Sequence, residues 1–498
     1  MTQMNYVITS TLPEEFGGRT KSLLSRTKKM NVEIGTPFSI ITTNYHPNYN
    51  MVYNHYYEME YVSNDIKLLN IYDFLANRTY EIKQDNHPIE EEGLQVYEVE
   101  KDKVYRYFDN GEYVLYKNYT HPNNQLKFID EMDRKTRIRK IRKEYNYNGL
   151  CHKKTIYKQG TTHRLEEIFY DEKGQAYLNK TFNGSSEDKL VRIYYFNKNE
   201  IIEFSTEKNL FKYCFDLMIE EDSTVICDAR LLDRPLIEMN VNVKKVFILH
   251  SSHLTGKEKG EIKKSYKYII EQYEKIDYLV TLTEQQKKDL VKIIKDDKKI
   301  RVIPHSALLN PVIDSIRENK LVFIGTLSKV KQVDHLIEAY NIAREELVDF
   351  QLDIYGEGEE RSNLEQLVTN YKLQDKITFK GTTKNPEEVF STAKASFITS
   401  KYEGFGLVIM ESLNNGCPVV AYDLKYGPRD LITPNKNGII IEQNNINELA
   451  KAMIRVTNHK FKKVSLSKQF SDEQFIKNWQ DIFMDKESIG FLGNLLKF

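Results

Sequence analysis

From Thr224 onward the sequence repeats one texture, a short apolar run followed by a stretch whose apolar positions recur at helical spacing. Runs at Thr224-Val225-Ile226-Cys227, Val246-Phe247-Ile248-Leu249, Tyr278-Leu279-Val280 and Ile300-Arg301-Val302-Ile303 alternate with helical stretches such as SYKYIIEQYEKI and EQQKKDLVKIIK. Apolar runs joined through helices demand a parallel sheet covered on both faces, because parallel neighbours need a crossover connection. After a break near Asn310-Pro311 the cycle resumes with LVFIGT, HLIEAYNIA, FQLDIYG, ITFKG, ASFIT, PVVAYD and GIIIE. The chain also begins this way: Tyr6-Val7-Ile8, the glycines Gly17-Gly18, the helix-like RTKSLLSRTKKM, then PFSIITT. Two doubly wound α/β halves are predicted, with a ligand between them where loops leave the carboxyl ends of the strands.

Between about 94 and 206 the period changes from helical to two, as in VYRYFDNGEYVLYK. Turn residues recur at Asp109-Asn110-Gly111, Asn148-Gly149, Lys173-Gly174 and Asn183-Gly184, and Asn-Gly between alternating runs is a strong hairpin signal. The expected division is therefore 1–93 with 207–310 as a first Rossmann-like domain, 94–206 as an antiparallel β-sheet inserted into it, 311–470 as a second Rossmann-like domain, and 471–498 as a closing helix or tail.

Charge narrows the partners. With 72 basic and 72 acidic residues, no global field draws the chain to nucleic acid or a membrane, and only local patches can do so. Cys151, Cys214, Cys227 and Cys417 are far apart and form no CxxC pair, which fits a reducing compartment. The start, MTQMNYVITSTLPEEFGG, lacks the pattern of a secretory signal. No stretch approaches the roughly 18 apolar residues of a membrane span. The expected location is the cytoplasm, with IGFLGNLLKF at the end of the chain as the route to peripheral contact with the inner membrane face.

The segment KYEGFGLVIME places Glu403 and Glu411 eight residues apart around Gly404 and Gly406. On one continuous helix that spacing would bring the carboxylates within about 80° of each other, but glycine is costly inside a helix. The better reading puts Glu403 in a loop and starts a helix near Leu407, whose free amides and dipole face a neighbouring anion. Read alone, the segment favours a plain turn and a solvated Glu411, because short glycine-rich motifs often occur without function; the surrounding loops decide. His250 ends the run VFILH. Lys331 lies just before a helix in GTLSKVKQVDHLIEA, where a lysine is disfavoured unless an anion is present. His253 forms an HxxH pair with no third ligand and reads as structural; Asp228 reads as a strand-end residue.

Taken together these features resemble the family-4 retaining glycosyltransferases of the GT-B fold. The resemblance covers 1–93 and 207–460 and rests on EGFGLVIME with its Glu-x7-Glu spacing, followed by GCPVVAYD and GPRDLI. The β insertion, ITSTLPEEFGGRTKSLLSR, and the segment running from HSSHL to KKSYKYII further resemble the bacterial teichoic-acid α-glycosyltransferases. The resemblance implies a donor, UDP-glucose or UDP-N-acetylglucosamine, and no metal or other cofactor. Glu411 would hold the ribose hydroxyls and Glu403 the transferred sugar. Gly404, Phe405, Gly406 and Leu407 would aim the helix at the diphosphate, and Gly17 and Gly18 would close on it from the other domain. Lys331 would stabilise the leaving diphosphate, and His250 would orient the sugar. The sequence departs from the family at Thr326, where an arginine is usual, with Lys329, Arg19 and Arg429 as substitutes; His305 stands where asparagine is common. The inserted sheet would serve acceptor binding and homo-oligomer formation.

Seven basic residues in ten fill the segment Arg134 to Lys143. Such a run suits a solvated strand or a polyanion, and although Tyr145 and Tyr147 could stack on bases, no RNA-binding motif accompanies them. Arg137, Arg139, Lys140 and Arg142 are therefore assigned to a polyol-phosphate acceptor rather than to nucleic acid. The competing expectations are a protein O-glycosyltransferase acting on a serine-rich adhesin and a non-catalytic partner of an active paralogue.

Overall fold

A computed structural model describes residues 4–14, 16–80, 85–101, 103–120, 125–198, 200–255, 260–311, 317–459, 461 and 463–484. The apolar tail IGFLGNLLKF lies outside these residues. Two compact units partition the chain, Met1–Asn31 with Gly35–Lys245, and Val32–Ile34 with Val246–Phe498.

In the first unit, β1 (Asn5–Thr9), β2 (Phe38–Thr42), β3 (Lys67–Asn70) and, far along the chain, β14 (Thr224–Cys227) lie in the order β14-β1-β2-β3, all parallel. Every residue of β1, β2 and β14 is buried, as expected of strands covered on both faces. Each fully buried aliphatic side chain in them contributes about 1.5–3 kcal/mol. The helix Gly18–Ile34 starts at the second glycine of the pair and ends on Gly35, whose φ of 70° is a left-handed cap.

Ten strands follow as one antiparallel meander: Gln95–Glu100, Val104–Asp109, Glu112–Tyr119, Leu126–Met132, Arg139–Tyr145, Cys151–Tyr157, Arg164–Tyr170, Ala176–Phe182, Leu190–Asn197 and Glu200–Phe204, numbered β4 to β13. Asn110 and Gly111 join β5 to β6 with φ of 46° and 81°, the two positive values that a tight hairpin matched to strand twist requires. Tyr105, Tyr107, Tyr119 and Leu126 form a small core on this sheet. Most other side chains are at least partly exposed, so the sheet reads as alternating rather than continuously apolar.

The second unit contains β15 (Lys244–Ile248, entered at the boundary), β16 (Tyr278–Thr281) and β17 (Ile300–Val302), which pair in parallel. It also contains a six-stranded parallel sheet: β18 (Lys320–Ile324), β19 (Gln351–Tyr355), β20 (Ile377–Gly381), β21 (Ala395–Ile398), β22 (Val419–Tyr422) and β23 (Gly438–Ile441). Their order is β20-β19-β18-β21-β22-β23. The helix Asp472–Phe483 follows, with Trp479 buried. Among the described residues no helix is long and apolar enough to cross a membrane. All four cysteines are free thiols.

Candidate functional site

The order of the six-stranded sheet reverses between β18 and β21. Chain order runs outward from β18 to β20, then returns to the other side of β18, so the loops after β18 and β21 diverge and leave a crevice at the carboxyl ends of the strands. Lys331 is on the first loop and Glu403 on the second. Lys331 Nζ lies 2.6 Å from Glu403 Oε1, and Ser400 Oγ donates to the same oxygen at 2.7 Å. The backbones are also joined: the Lys401 N–H donates to the Val330 carbonyl at 2.7 Å, and Thr399 Oγ1 donates to the Lys331 carbonyl at 2.8 Å. Both donors are on Oε1, and Oε2 has none among the described residues. One carboxylate oxygen is clamped and the other is available to a hydroxyl. Ser400, a fixing residue with only 1% exposure, carried no signal in the sequence beyond its nearness to Glu403.

The glycines around Glu403 answer to the protein's own backbone. A Cβ on Gly404 would lie 2.1 Å from the His250 carbonyl oxygen, and one on Gly427 would lie 1.9 Å from the Phe405 carbonyl oxygen. Gly406 caps the helix Leu407–Asn414 with φ of 94° and no side-chain cap, leaving the first amides of that helix to other acceptors. Glu411 sits one turn into it, partly buried. Phe405 is buried and meets the edge of His305 at 5.3 Å and of Phe470 at 5.8 Å between ring centres. His305 in turn stacks on His250, 5.9 Å away with 9° between ring planes. His250 itself lies two residues beyond β15 rather than ending it. His305 is thus part of the site's wall, a role its sequence position alone did not announce.

The loop after β18 is held from its other side by the loop after β19. Gly325 N–H donates to the Tyr355 carbonyl at 3.0 Å, Leu327 N–H to the Glu357 carbonyl at 2.9 Å, and Glu360 N–H to the Leu327 carbonyl at 3.0 Å. Gly356 and Gly358 permit this approach: their φ values are 144° and 159°, and a Cβ would fall 1.9 and 2.2 Å from the carbonyl oxygens of Gly325 and Leu327. The YGEG segment, which begins with the last two residues of FQLDIYG, was the available signal for them. Thr326 is exposed on this loop. Of its proposed substitutes, Arg429 is engaged by both oxygens of Asp423, and Lys329 faces Glu360 at 3.9 Å.

The remaining predicted residues fall elsewhere. Gly17, Gly18 and Arg19 belong to the first unit, where Gly17 caps the helix Gly18–Ile34 and all three are exposed. The basic segment is not a bare positive strip. Arg142 makes a two-pronged contact with Asp130, Nε to Oδ1 and NH2 to Oδ2, each at 2.7 Å, and lies 3.8 Å over the Phe128 ring. Arg139 also faces Asp130, at 3.9 Å, Lys143 faces Glu131 at 2.9 Å, and Arg134 bonds Asp109 and Glu112. Asp130, Glu131 and Arg142 are cross-strand neighbours on β7 and β8, which a sequence run cannot reveal. Arg137 and Lys140 are exposed, with no ion pair among the described residues. Tyr145 packs on His87, and Tyr147 accepts a hydrogen bond from Asn50. Asp228 is the buried partner of Arg26.

His253 is fully buried beside Tyr426, and neither ring nitrogen has a hydrogen-bond partner among the described residues. Burial pushes its pKa down to about 4, against an opposing pull from Asp289. Tyr426 donates to Asp289 at 2.9 Å, and Lys425 pairs with the same carboxylate at 3.0 Å. Burial alone would raise the Asp289 pKa, but the bonds from Lys425 and Tyr426 outweigh it and hold it below the usual range. Among the described residues no group of three or more His, Cys, Asp or Glu side chains is arranged to hold a metal ion.

Residues 314–474, which carry this sheet and its loops, match the family model of glycosyl transferases group 1. A poly(glycerol-phosphate) alpha-glucosyltransferase of Bacillus subtilis (strain 168) is 27% identical over 95% of this chain and 74% of its own length. A poly(ribitol-phosphate) alpha-N-acetylglucosaminyltransferase of Staphylococcus aureus (strain COL) is 27% identical over 94% of this chain and 97% of its own. The solved structure of an S. aureus TarM mutant, described as a complex with Fondaparinux, alpha-GlcNAc-glycerol and UDP, superposes with a TM-score of 0.86 at 24% identity, over 97% of this chain and 100% of the other.

Proposed function

We infer that this chain is a glycosyltransferase of the GT-B fold and of the teichoic acid glycosyltransferase family, and that it moves glucose or N-acetylglucosamine from a UDP-sugar onto polyol-phosphate repeats of wall teichoic acid. The observation that carries this reading is the Lys331–Glu403 contact at the strand-order switch, in a chain that matches a poly(ribitol-phosphate) relative almost from end to end. A protein acceptor ranks second because both relatives described above act, by their names, on polyol-phosphate polymers.

The reaction we propose retains anomeric configuration. The acceptor hydroxyl oxygen bonds to the anomeric carbon, the bond from that carbon to the β-phosphate oxygen breaks, and the electron pair leaves with UDP. The hydroxyl proton passes to the departing phosphate. Lys331 supplies a fixed positive charge for that group, the kind of preorganised electrostatic help that dominates catalysis. The uncapped start of the helix Leu407–Asn414 adds amide donors and a positive dipole end. Glu403, held at Oε1, offers Oε2 to a sugar hydroxyl; Glu411 takes the ribose hydroxyls, and His250, backed by His305, orients the sugar. Gly17 and Gly18, in the first unit, are assigned to phosphate binding. Thr326 cannot supply the planar fork of an arginine, so Lys331 carries the charge on its loop. We assign the roles without a divalent metal, place the reaction in the cytoplasm, and assign the segment 94–206 to acceptor binding and homo-oligomer formation.

The direct test is transfer of labelled sugar from each donor to glycerol-phosphate and ribitol-phosphate polymers, with NMR of the product's anomeric coupling in buffer with and without EDTA. An α-linked product insensitive to EDTA supports the account. An inverted product overturns retention, and a product that forms only with added divalent cation overturns metal independence.

A further inference from the structure

Beside Glu403 the second unit holds a pocket of about 530 Å³ whose wall includes Ser252, Lys401, Tyr402, Glu403, Lys425 and Tyr426. Among the described residues Lys401 and Lys425 line it, while Lys331 and Lys263 meet its lining residues Glu403 and Tyr402, and the electrostatic situations of these lysines differ. The Lys331 ammonium is paired with Glu403, and that of Lys425 with Asp289. For Lys401 and Lys263 no carboxylate partner is found among the described residues. Lys401 is exposed at the mouth, its carbonyl pinned by Gln443 Nε2 at 2.7 Å. Lys263 follows the short antiparallel bridge between Leu254 and Ile262, its own N–H donating to the His253 carbonyl at 2.8 Å, and extends its ammonium to 4.7 Å from the centre of the Tyr402 ring. Among the described residues, then, Lys331 and Lys425 have carboxylate partners, whereas Lys401 in the wall and Lys263 over the Tyr402 ring have none.

We propose that this pocket is an acceptor subsite for a phosphodiester group, with Lys263 and Lys401 as its two cationic ligands and Glu403 marking the side on which sugar transfer takes place. The proposal rests on the functional reading above, since a polyol-phosphate acceptor carries a phosphodiester on each side of the hydroxyl that is glycosylated. A phosphate held next to Glu403 would position the neighbouring hydroxyl in the path of the donor sugar. It would also separate recognition of the repeat from the basic residues of β8, most of which already have protein carboxylates. Burial depresses the pKa of Lys263; a bound anion would relieve that penalty. A neutral hydroxyl-bearing acceptor would bring no charge to either ammonium group.

The experiment uses the full chain and its Lys263→Gln, Lys401→Gln and doubly substituted variants, titrated calorimetrically with glycerophosphoglycerol and, separately, with UDP. Charge-assisted bonds of this kind predict a loss of about tenfold in affinity for the diester per substitution, a smaller dependence of polymer KM on salt, and unchanged UDP binding. A wild-type protein that does not bind the diester saturably, or a double variant that binds it as tightly as wild type, overturns the subsite. Loss of UDP binding in the variants would also overturn it, by assigning the lysines to the donor. Absence of polymer-dependent transfer by a wild-type protein that does bind the diester would instead count against the functional reading.

Discussion

Lys331 Nζ and Glu403 Oε1 lie 2.6 Å apart across the point where the six-stranded sheet reverses its strand order. The pair joins the two loops assigned above to the donor, and it fixes a carboxylate that Ser400 holds from a second direction. A cation and an anion so placed stabilise the site before any ligand arrives.

Glu403→Gln keeps the shape of the side chain but removes its charge, and Lys331→Met removes the cation while keeping the stem. Each is expected to lower kcat by about 10²-fold or more with far-UV circular dichroism unchanged. Full turnover by either variant in a donor assay would remove that residue from the reaction.

Glycine substitutions separate packing from chemistry. Gly404→Ala forces a Cβ against the His250 carbonyl and is expected to destabilise the protein by about 1–3 kcal/mol, read as a lowered urea midpoint. Gly17→Ala meets nothing within 4 Å and has φ of −91°, so its midpoint should match wild type. An activity loss at Gly17 would then report contact with the donor rather than damage to the fold.

His253 gives stability a defined pH dependence. Its folded pKa of about 4 lies below the ordinary 6.5, so the unfolded chain takes up the proton first. The stabilisation is fully present above pH 6.5 and is lost as pH falls toward 4, by an amount on the order of 3 kcal/mol. Urea unfolding between pH 7.5 and 4.5 should show a shallower decline in His253→Phe than in wild type. Parallel declines would mean that His253 is not the group responsible.

Much of this architecture was legible in the chain. Continuous apolar runs such as TVIC and ASFI could only be strands covered on both faces, and Asn110-Gly111 could hardly be anything but a tight turn. Glu403 in a loop and a helix from Leu407 followed from the cost of glycine within a helix. Cross-strand and inter-loop partners were not legible, because they join residues far apart in sequence. The basic run Arg134 to Lys143 looked uncompensated until β7 brought Asp130 and Glu131 beside it. Lys331 looked like a free cation until the loop after β21 supplied Glu403. His305 and Gly356 became part of the site only through the backbone and rings they meet.

Those cross-strand partners set different expectations for neighbouring basic residues. Arg142→Gln removes two bonds to the buried Asp130 and a contact with Phe128, and should cost about 1–3 kcal/mol of stability. Lys140→Gln, on the exposed side of β8, should change stability by no more than about 0.5 kcal/mol. If the exposed members of the segment touch the polymer, Arg137→Gln with Lys140→Gln will reduce the salt dependence of polymer binding; an unaltered salt slope would remove the segment from the acceptor path.

The measurement that bears most directly on the central claim is UDP release by the purified protein from UDP-glucose or UDP-N-acetylglucosamine, each with and without wall teichoic acid. The account predicts release with one donor, stimulated by the polymer and abolished by Glu403→Gln. No release with either donor from a folded protein, or equal release by wild type and Glu403→Gln, would contradict it.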